Sequence, residues 1–233
     1  MRHVVILSSY NRPRMIAHAI SSVRSQSSHD FQLLVADDAS DAETHASIAK
    51  AFDGDPRCEL LVSSVPRTGP GAVSDPTIRA VACINAAIAR SDGDIFHYLP
   101  DDDWFAPGRF AAFESWFSRN PSELLVAYGR MNYVDEAGRH VGSLYRGQIL
   151  TAPACHVDHG QIAHRRAVFE QVPSWPSVPN NFCFDASFFN AIVAFGHAFY
   201  PVDAVVNFKR QHSMSLQRLS NDQRDVVTPQ RRE

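Results

Sequence analysis

The sequence predicts an α/β fold with a mostly parallel central sheet, helices on both faces and a smaller antiparallel sheet on one side. Three observations carry this reading. Short apolar runs alternate four times with helical patterns through the first hundred residues. Polar residues collect where three of those runs end, at Ser8 to Asn11, Asp37 to Asp41 and Asp101 to Asp103, which is where parallel α/β sheets bind ligands. Beyond residue 120, two further runs flank a turn signal, Asp135-Glu136-Ala137-Gly138, which points to antiparallel strands.

Taken in order, residues 4–7 form a β-branched apolar run, the pattern of a buried strand. Pro13 opens a helix that Ile16, Ile20 and Val23 continue to about Gln26. Residues 31–36 give a second strand and 42–52 a second helix. Residues 59–62 give a third strand. Residues 64–76, rich in proline and glycine, form a loop. Residues 77–89 place Ile78, Val81, Ile84 and Ile88 on one helical face. Residues 95–99 form the central strand, and a helix opens near Pro107. Strands are expected over 124–134 and 140–145. Residues 173–179 form a proline-rich loop, and a helix carries Ala186, Phe189, Ile192 and Val193.

Composition narrows the class. A chain of 233 residues with 45% hydrophobic and 20% charged residues is that of an ordinary globular protein. A net charge of -3 gives no electrostatic case for nucleic acid or an anionic membrane. The apolar run at 4–7 is too short for a signal-peptide core, and no run approaches a transmembrane segment. Cys58, Cys83, Cys155 and Cys183 lie far apart with no C-x-x-C, so the expectation is reduced thiols in a cytoplasmic protein.

The stretch around which the chain is organised is Ile95-Phe96-His97-Tyr98-Leu99-Pro100-Asp101-Asp102-Asp103-Trp104. Consecutive carboxylates at a buried strand end repel one another unless a cation neutralises them. Hard oxygen ligands suit Mg or Mn. The plainer reading is a solvated acidic turn before a helix N-terminus. The first strand and its turn carry no glycine, which excludes a G-x-G-x-x-G dinucleotide site and a P-loop. Cys155, His156, His159 and His164 lack the paired spacing of structural zinc.

In order and spacing, residues 4–13, 21–26 and 31–41 resemble the opening of family 2 glycosyltransferases of the GT-A fold, and residues 98–107 resemble their DxD segment. The similarity extends through residues 151–160, 164–166, 185–189 and 199–201, and is greatest to the spore-coat polysaccharide type. Where the family pattern has its first acid, this chain has Pro100.

The resemblance implies an inverting transfer from a nucleoside-diphosphate sugar, UDP- or dTDP-linked, to an acceptor hydroxyl, with Mn or Mg bound. It places the metal on Asp102, with Asp103 in support through water and His212 as a further ligand. Reading the residues alone would pair Asp101 with Asp103 instead, and that alternative stays open. Ser8, Tyr10 and Asp38 fall at the base and ribose, Asp101 at the ribose, and Asp158 in the loop beside the donor sugar. Arg67 and Arg79 flank the proline–glycine loop and are candidates for base or phosphate. Asp185 stands at the position of the general base, with nothing evident in the sequence to pair it. Residues 1–103 then form the nucleotide-sugar half, 104–219 the acceptor and catalytic half, and 220–233 a tail expected to fray. A homodimer is left open. A sugar nucleotidyltransferase and a sugar-nucleotide-binding protein without turnover are the competing classes. The first normally needs a glycine-rich loop that residues 8–13 lack, and Asp185 argues against the second.

Overall fold

A computed structural model describes residues 1–179 and 183–212. The expected frayed tail, 220–233, and the link through residues 180–182 lie outside the described residues. The first half alternates as expected: β1 (His3–Ser9), α1 (Pro13–Arg24), β2 (Phe31–Asp37), α2 (Ala42–Phe52), β3 (Cys58–Val62), α3 (Pro76–Arg90) and β4 (Ile95–Pro100). A two-residue strand, β5 (Trp104–Phe105), and α4 (Arg109–Arg119) follow. The second half adds β6 (Val126–Val134), β7 (His140–Leu144), β8 (Ile162–Arg165), α5 (Phe184–Ala194) and β9 (Phe199–Arg210).

The nine strands of the described residues join one sheet in the order β3-β2-β1-β4-β8-β6-β9-β5, with β7 paired to β6. Strands β3, β2, β1 and β4 are mutually parallel. The antiparallel material continues this sheet: β8 runs antiparallel to both β4 and β6, and β7 antiparallel to β6. The long β9 lies parallel to β6. At the shift in that pairing sits Gly129, where a Cβ would meet Val206 Cγ1 at 2.3 Å and the Ala204 carbonyl at 3.0 Å. Only glycine admits so close an approach of the two backbones.

Alternation along β1 divides the core. Val4 and Ile6 pack toward Ile84 and Ala87 of α3 and Phe188 of α5. Val5 and Leu7 pack toward Ile16 and Ile20 of α1 and Ile48 of α2. The period of two on each strand thus sets which helices cover which face. Helix starts follow their sequence signals: Asp41 caps α2 by accepting from Thr44 N–H at 2.8 Å, and Asp75 caps α3 by accepting from Thr77 N–H at 2.8 Å.

One buried cation joins the two halves. Arg109, 0% exposed, donates to the carbonyls of Gly160 (2.5 Å), Ile162 (2.7 Å) and Val206 (3.2 Å), and its Nε lies 3.2 Å from His97 Nδ1 on β4. Behind β4, the Trp175 indole N–H donates to Tyr98 Oη at 3.1 Å, and Tyr98 Oη lies 2.8 Å from His164 Nε2. His164 Nδ1 sits 2.9 Å from the Arg165 carbonyl, an acceptor only, so Nδ1 carries the proton and Tyr98 donates to Nε2.

These histidines are held neutral. Burial lowers both His3 and His164 from 6.5 to about 4. Between those values an unfolded chain takes up protons that the folded chain refuses, so stability is complete above about pH 6.5 and is lost as the pH falls toward 4. The expected contribution is on the order of 3 kcal/mol for each buried histidine. Urea unfolding of wild type and His164→Gln at pH 7 and pH 4.5 checks this: wild type loses more stability on acidification, and a pH-independent difference between the two proteins refutes it.

Candidate active site

The ends of β1 and β4 meet loops from the second half around an open cavity of about 360 Å³. Ser8, Arg12, Asp101 and Asp102 line one part; Asp158, His159, Phe184, Asp185 and Lys209 line another.

Arg12, at the mouth of α1, binds both neighbouring acids through Nη1, at 2.6 Å from Asp101 Oδ1 and 3.0 Å from Asp102 Oδ2. Asp101 also accepts from Tyr10 N–H at 2.9 Å. Burial pushes the Asp101 carboxyl up to about 6, against the pull of Arg12. Burial also presses Asp102 upward, but the hydrogen bond with His212 and the charges of Arg12 and Lys209 outweigh it and hold Asp102 below the usual range. His212 Nε2 lies 3.0 Å from Asp102 Oδ2. Asp103 is 2% exposed and turns inward, accepting from Arg210 N–H at 3.1 Å. Burial and the neighbouring Asp102 push its carboxyl well up.

Lys209 reaches back from β9 and donates to Asp158 Oδ2 at 2.5 Å. Burial opposes its charge, but Asp158 and Asp103 raise its basicity overall. Asp158 is depressed in turn: burial presses it upward, and the charges of Lys209 and His159 overcome that. Asp158 also caps a 3-10 turn (His159–Gln161), accepting from Gly160 N–H at 2.8 Å, while Gln161 Oε1 accepts from Asp158 N–H at 2.9 Å. Asp185 lies in the first turn of α5, where Oδ1 accepts from Ala186 N–H at 2.9 Å. Its Oδ2 is 3.5 Å from His159 Nδ1, which gives Asp185 a partner that the sequence did not reveal.

A second cluster holds the remaining candidates. Asp38 is ion-paired with Arg67 and, at 2.5 Å, with Arg79. The Arg67 guanidinium lies 3.4 Å from the centroid of the Tyr10 ring. Arg79, 1% exposed, also donates to the carbonyls of Pro66 (2.9 Å) and Val73 (3.2 Å), so it ties the proline–glycine loop to the end of β2. Asp38 is thus held by two guanidiniums. Ser8 alone of the predicted base and ribose contacts lines the cavity together with Asp101. The candidate zinc ligands disperse: His164 lies in the core against Tyr98, and His156 Nδ1 is 3.2 Å from Arg146.

Two possible cation positions result. Asp102 and His212 supply an oxygen and a nitrogen 3.0 Å apart. Adjacent ligands on an octahedral ion bonded at about 2.1 Å are separated by about 3 Å, a spacing this pair matches, while the same Asp102 oxygen is also 3.0 Å from Arg12 Nη1. Ligand atoms of Asp158, His159 and Asp185 also lie within 4.8 Å of one another, but the Lys209 ammonium already compensates Asp158. Arg12, Lys209 and His159 are site residues that sequence reasoning did not commit to. A strand-end arginine two residues after Tyr10 and a lysine beside the candidate His212 were the available signals.

The family model for Glycosyl transferase family 2 matches residues 4–172. The chain belongs to that family. A curated relative, Protein CgeD of Bacillus subtilis (strain 168), is 33% identical over 171 residues, 72% of this chain and 39% of that protein. Among solved structures, S. aureus TarS 1-349 in complex with UDP aligns with a TM-score of 0.71 at 16% identity, covering 91% of this chain and 61% of that one. Its complex with UDP-GlcNAc gives 0.68 at 15% identity, covering 92% and 60%. Mannosyltransferase PcManGT from Pyrobaculum calidifontis, in complex with GDP-Man and Mn2+, gives 0.66 at 15%, covering 100% and 66%. The chain therefore spans about two fifths of the curated relative and roughly three fifths to two thirds of these structures. The structural matches establish the GT-A fold that the sequence led us to expect.

The electrostatics of the site are testable without a substrate. Lys209→Met leaves Asp158 and Asp103 buried without their cation, at a cost on the order of 3 kcal/mol near neutral pH. Wild-type Asp158 keeps its depressed carboxyl ionised, so the pair's stabilisation is lost only in strong acid. In the variant, protonation relieves the unpaired acids, so the stability gap narrows as the pH falls. Urea midpoints at pH 7.5 and pH 5 measure it; equal midpoints for the two proteins at pH 7.5 overturn the assignment.

Proposed function

We propose that this family 2 protein moves a sugar from a nucleoside-diphosphate sugar, UDP- or dTDP-linked, to an acceptor hydroxyl with inversion at the anomeric carbon. The observation that carries this reading is the convergence on one cavity of the β4-end acids Asp101 and Asp102 with a carboxylate from a separate helix, Asp185. Residues 1–103 supply the donor side and 104–219 most of the acceptor and catalytic side. TarS in complex with UDP-GlcNAc and PcManGT in complex with GDP-Man support the donor class.

Asp102 and His212 would hold a divalent cation, with Asp103 in support through water. Mn2+ in PcManGT supports this assignment. When bound, such a cation supplies charge stabilisation for the diphosphate leaving group. Arg12 and Lys209 add fixed positive charge at the same cavity and need no reorganisation as the leaving group forms. Ser8, Tyr10, Asp38 and Asp101 orient base and ribose, Arg67 and Arg79 shape the loop beside them, and Asp158 borders the donor sugar. Asp185 takes the proton from the acceptor hydroxyl as its oxygen attacks, which a carboxylate held within hydrogen-bond reach can do.

Two measurements test the reading. UDP or dTDP raises the melting temperature in the presence of Mn or Mg, and much less with chelator; Asp102→Ala removes most of the effect and Asp103→Ala less. Equal stabilisation with and without metal sinks the cation, and the reverse order of variants moves it to the other acid. Asp185→Asn keeps the size of the side chain and leaves nucleotide affinity intact, while turnover falls on the order of 10²–10⁴. Transfer by Asp185→Asn at the wild-type rate removes Asp185 as the base, and Asp158 becomes the next candidate.

A further inference from the structure

The residue with the most unexplained placement is His159. Its imidazole stands between two carboxylates, with Nδ1 at 3.5 Å from Asp185 Oδ2 and 3.7 Å from Asp158 Oδ1. That Nδ1 is buried and has no hydrogen-bond partner of good geometry. The ring is fixed by packing, edge-on to Trp175 with centroids 6.0 Å apart and tilted against Phe184 at 5.5 Å. Trp175 is itself 1% exposed and locked by reciprocal bonds with Asn85, at 2.8 Å through its own N–H and 3.0 Å through its carbonyl.

The turn that carries His159 is as rigid as the ring. Gly160 and Ile162 carbonyls accept from Arg109, and Gln161 Nε2 donates to the Gly129 and Leu144 carbonyls at 2.8 and 2.9 Å. Helix α5, by contrast, starts without a side-chain cap at Cys183. Asp185 therefore has one oxygen fixed by its own helix, through Ala186 N–H, while among the described residues the other faces His159 across the cavity.

We propose that His159 is the positioning residue of Asp185: its fixed Nδ1 faces Oδ2 and keeps the carboxylate plane in the orientation that meets the acceptor hydroxyl. This rests on the assignment of Asp185 as base. The groups that face the imidazole are Asp158 on its own turn, Asp185 on α5 and Lys209 on β9. Burial disfavours the charged ring, but the two carboxylates outweigh burial and the repulsion of Lys209, and His159 is raised above its ordinary value. Orientation is what this contact supplies, and a misplaced base loses rate steeply.

The experiment has two arms. In the first, the His159 imidazole is titrated by NMR in wild type and in Asp185→Asn, which needs no acceptor and no turnover. Loss of the facing charge lowers the His159 pKa by about one unit; an unchanged value overturns the proposal, whatever the fate of Asp185 as a base. In the second, turnover and UDP affinity are measured for His159→Ala, His159→Asn, Asp185→Asn and His159→Ala with Asp185→Asn. His159→Ala lowers kcat on the order of tenfold to a hundredfold with UDP affinity unchanged, and His159→Asn, which places an amide N–H near Nδ1, recovers part of it. The double variant falls little further than Asp185→Asn alone, because a positioning residue has nothing left to position. Full additivity, or a parallel loss of UDP affinity and melting temperature in His159→Asn, shows a separate or merely structural role and refutes the inference. If Asp185→Asn turns over normally while the titration shift persists, the contact stands and the base assignment fails.

Discussion

The rest of the structure depends on how the carboxylates of Asp101, Asp102, Asp103 and Asp158 are neutralised where they converge. Several buried like charges cannot share one place unless each meets a cation or a hydrogen-bond donor. The chain supplies these from distant points: Arg12 from the start of α1, Lys209 from β9 and His212 just beyond it. Each of these contacts spans roughly half the chain or less in sequence and almost nothing in space. The acid cluster is therefore a folding constraint as well as a chemical feature. Strand β9 must run to its end alongside β6 for Lys209 to reach Asp158 and for Arg210 N–H to reach Asp103.

Arg109 makes the arrangement rigid. Its guanidinium gathers carbonyls from the His159 turn, β8 and β9 and touches the imidazole of β4, so parts of both halves share one donor. Burial alone would favour losing its proton. The converging carbonyl dipoles are what make a charge tolerable there. The consequence for the site is that the turn bearing Asp158 and His159 cannot drift relative to the end of β4. A cavity with charged groups fixed in this way has already met the cost of orienting them before any ligand arrives.

Much of this was legible in the sequence, for identifiable reasons. Strands β1, β2 and β4 are buried on both faces, so they read as unbroken apolar runs, and α1 to α3 carry proline or aspartate at their starts. Strands β8 and β9 were not picked out. β8 is four residues ending in His164 and Arg165, and β9 carries Pro201 and Asp203 and changes register against β6, so neither shows a clean period of two. The site divides in the same way. Asp102 and Asp185, both chosen from the sequence, line one cavity, and His212 lies against Asp102. The cations were harder to foresee, because an arginine or lysine in a sequence does not say which acid it will meet. Asp38, read as a base contact, is also the centre of an ion cluster with Arg67 and Arg79, and Arg79 holds the proline–glycine loop.

The distribution of charge separates two jobs that the sequence ran together. Asp101 and Asp102 are met by Arg12, a side chain 22% exposed at the cavity. Asp103 and Asp158 are met by the Arg210 backbone and by Lys209, contacts set into the β9 frame. Asp185 belongs to neither group. It has a backbone donor from its own helix and an imidazole at ion-pair distance, fewer fixed contacts than Asp158 has. A carboxylate bound by several strong donors is held as an anion, because each donor lowers its basicity. Asp158, capped and paired with an ammonium, is therefore built to remain an anion.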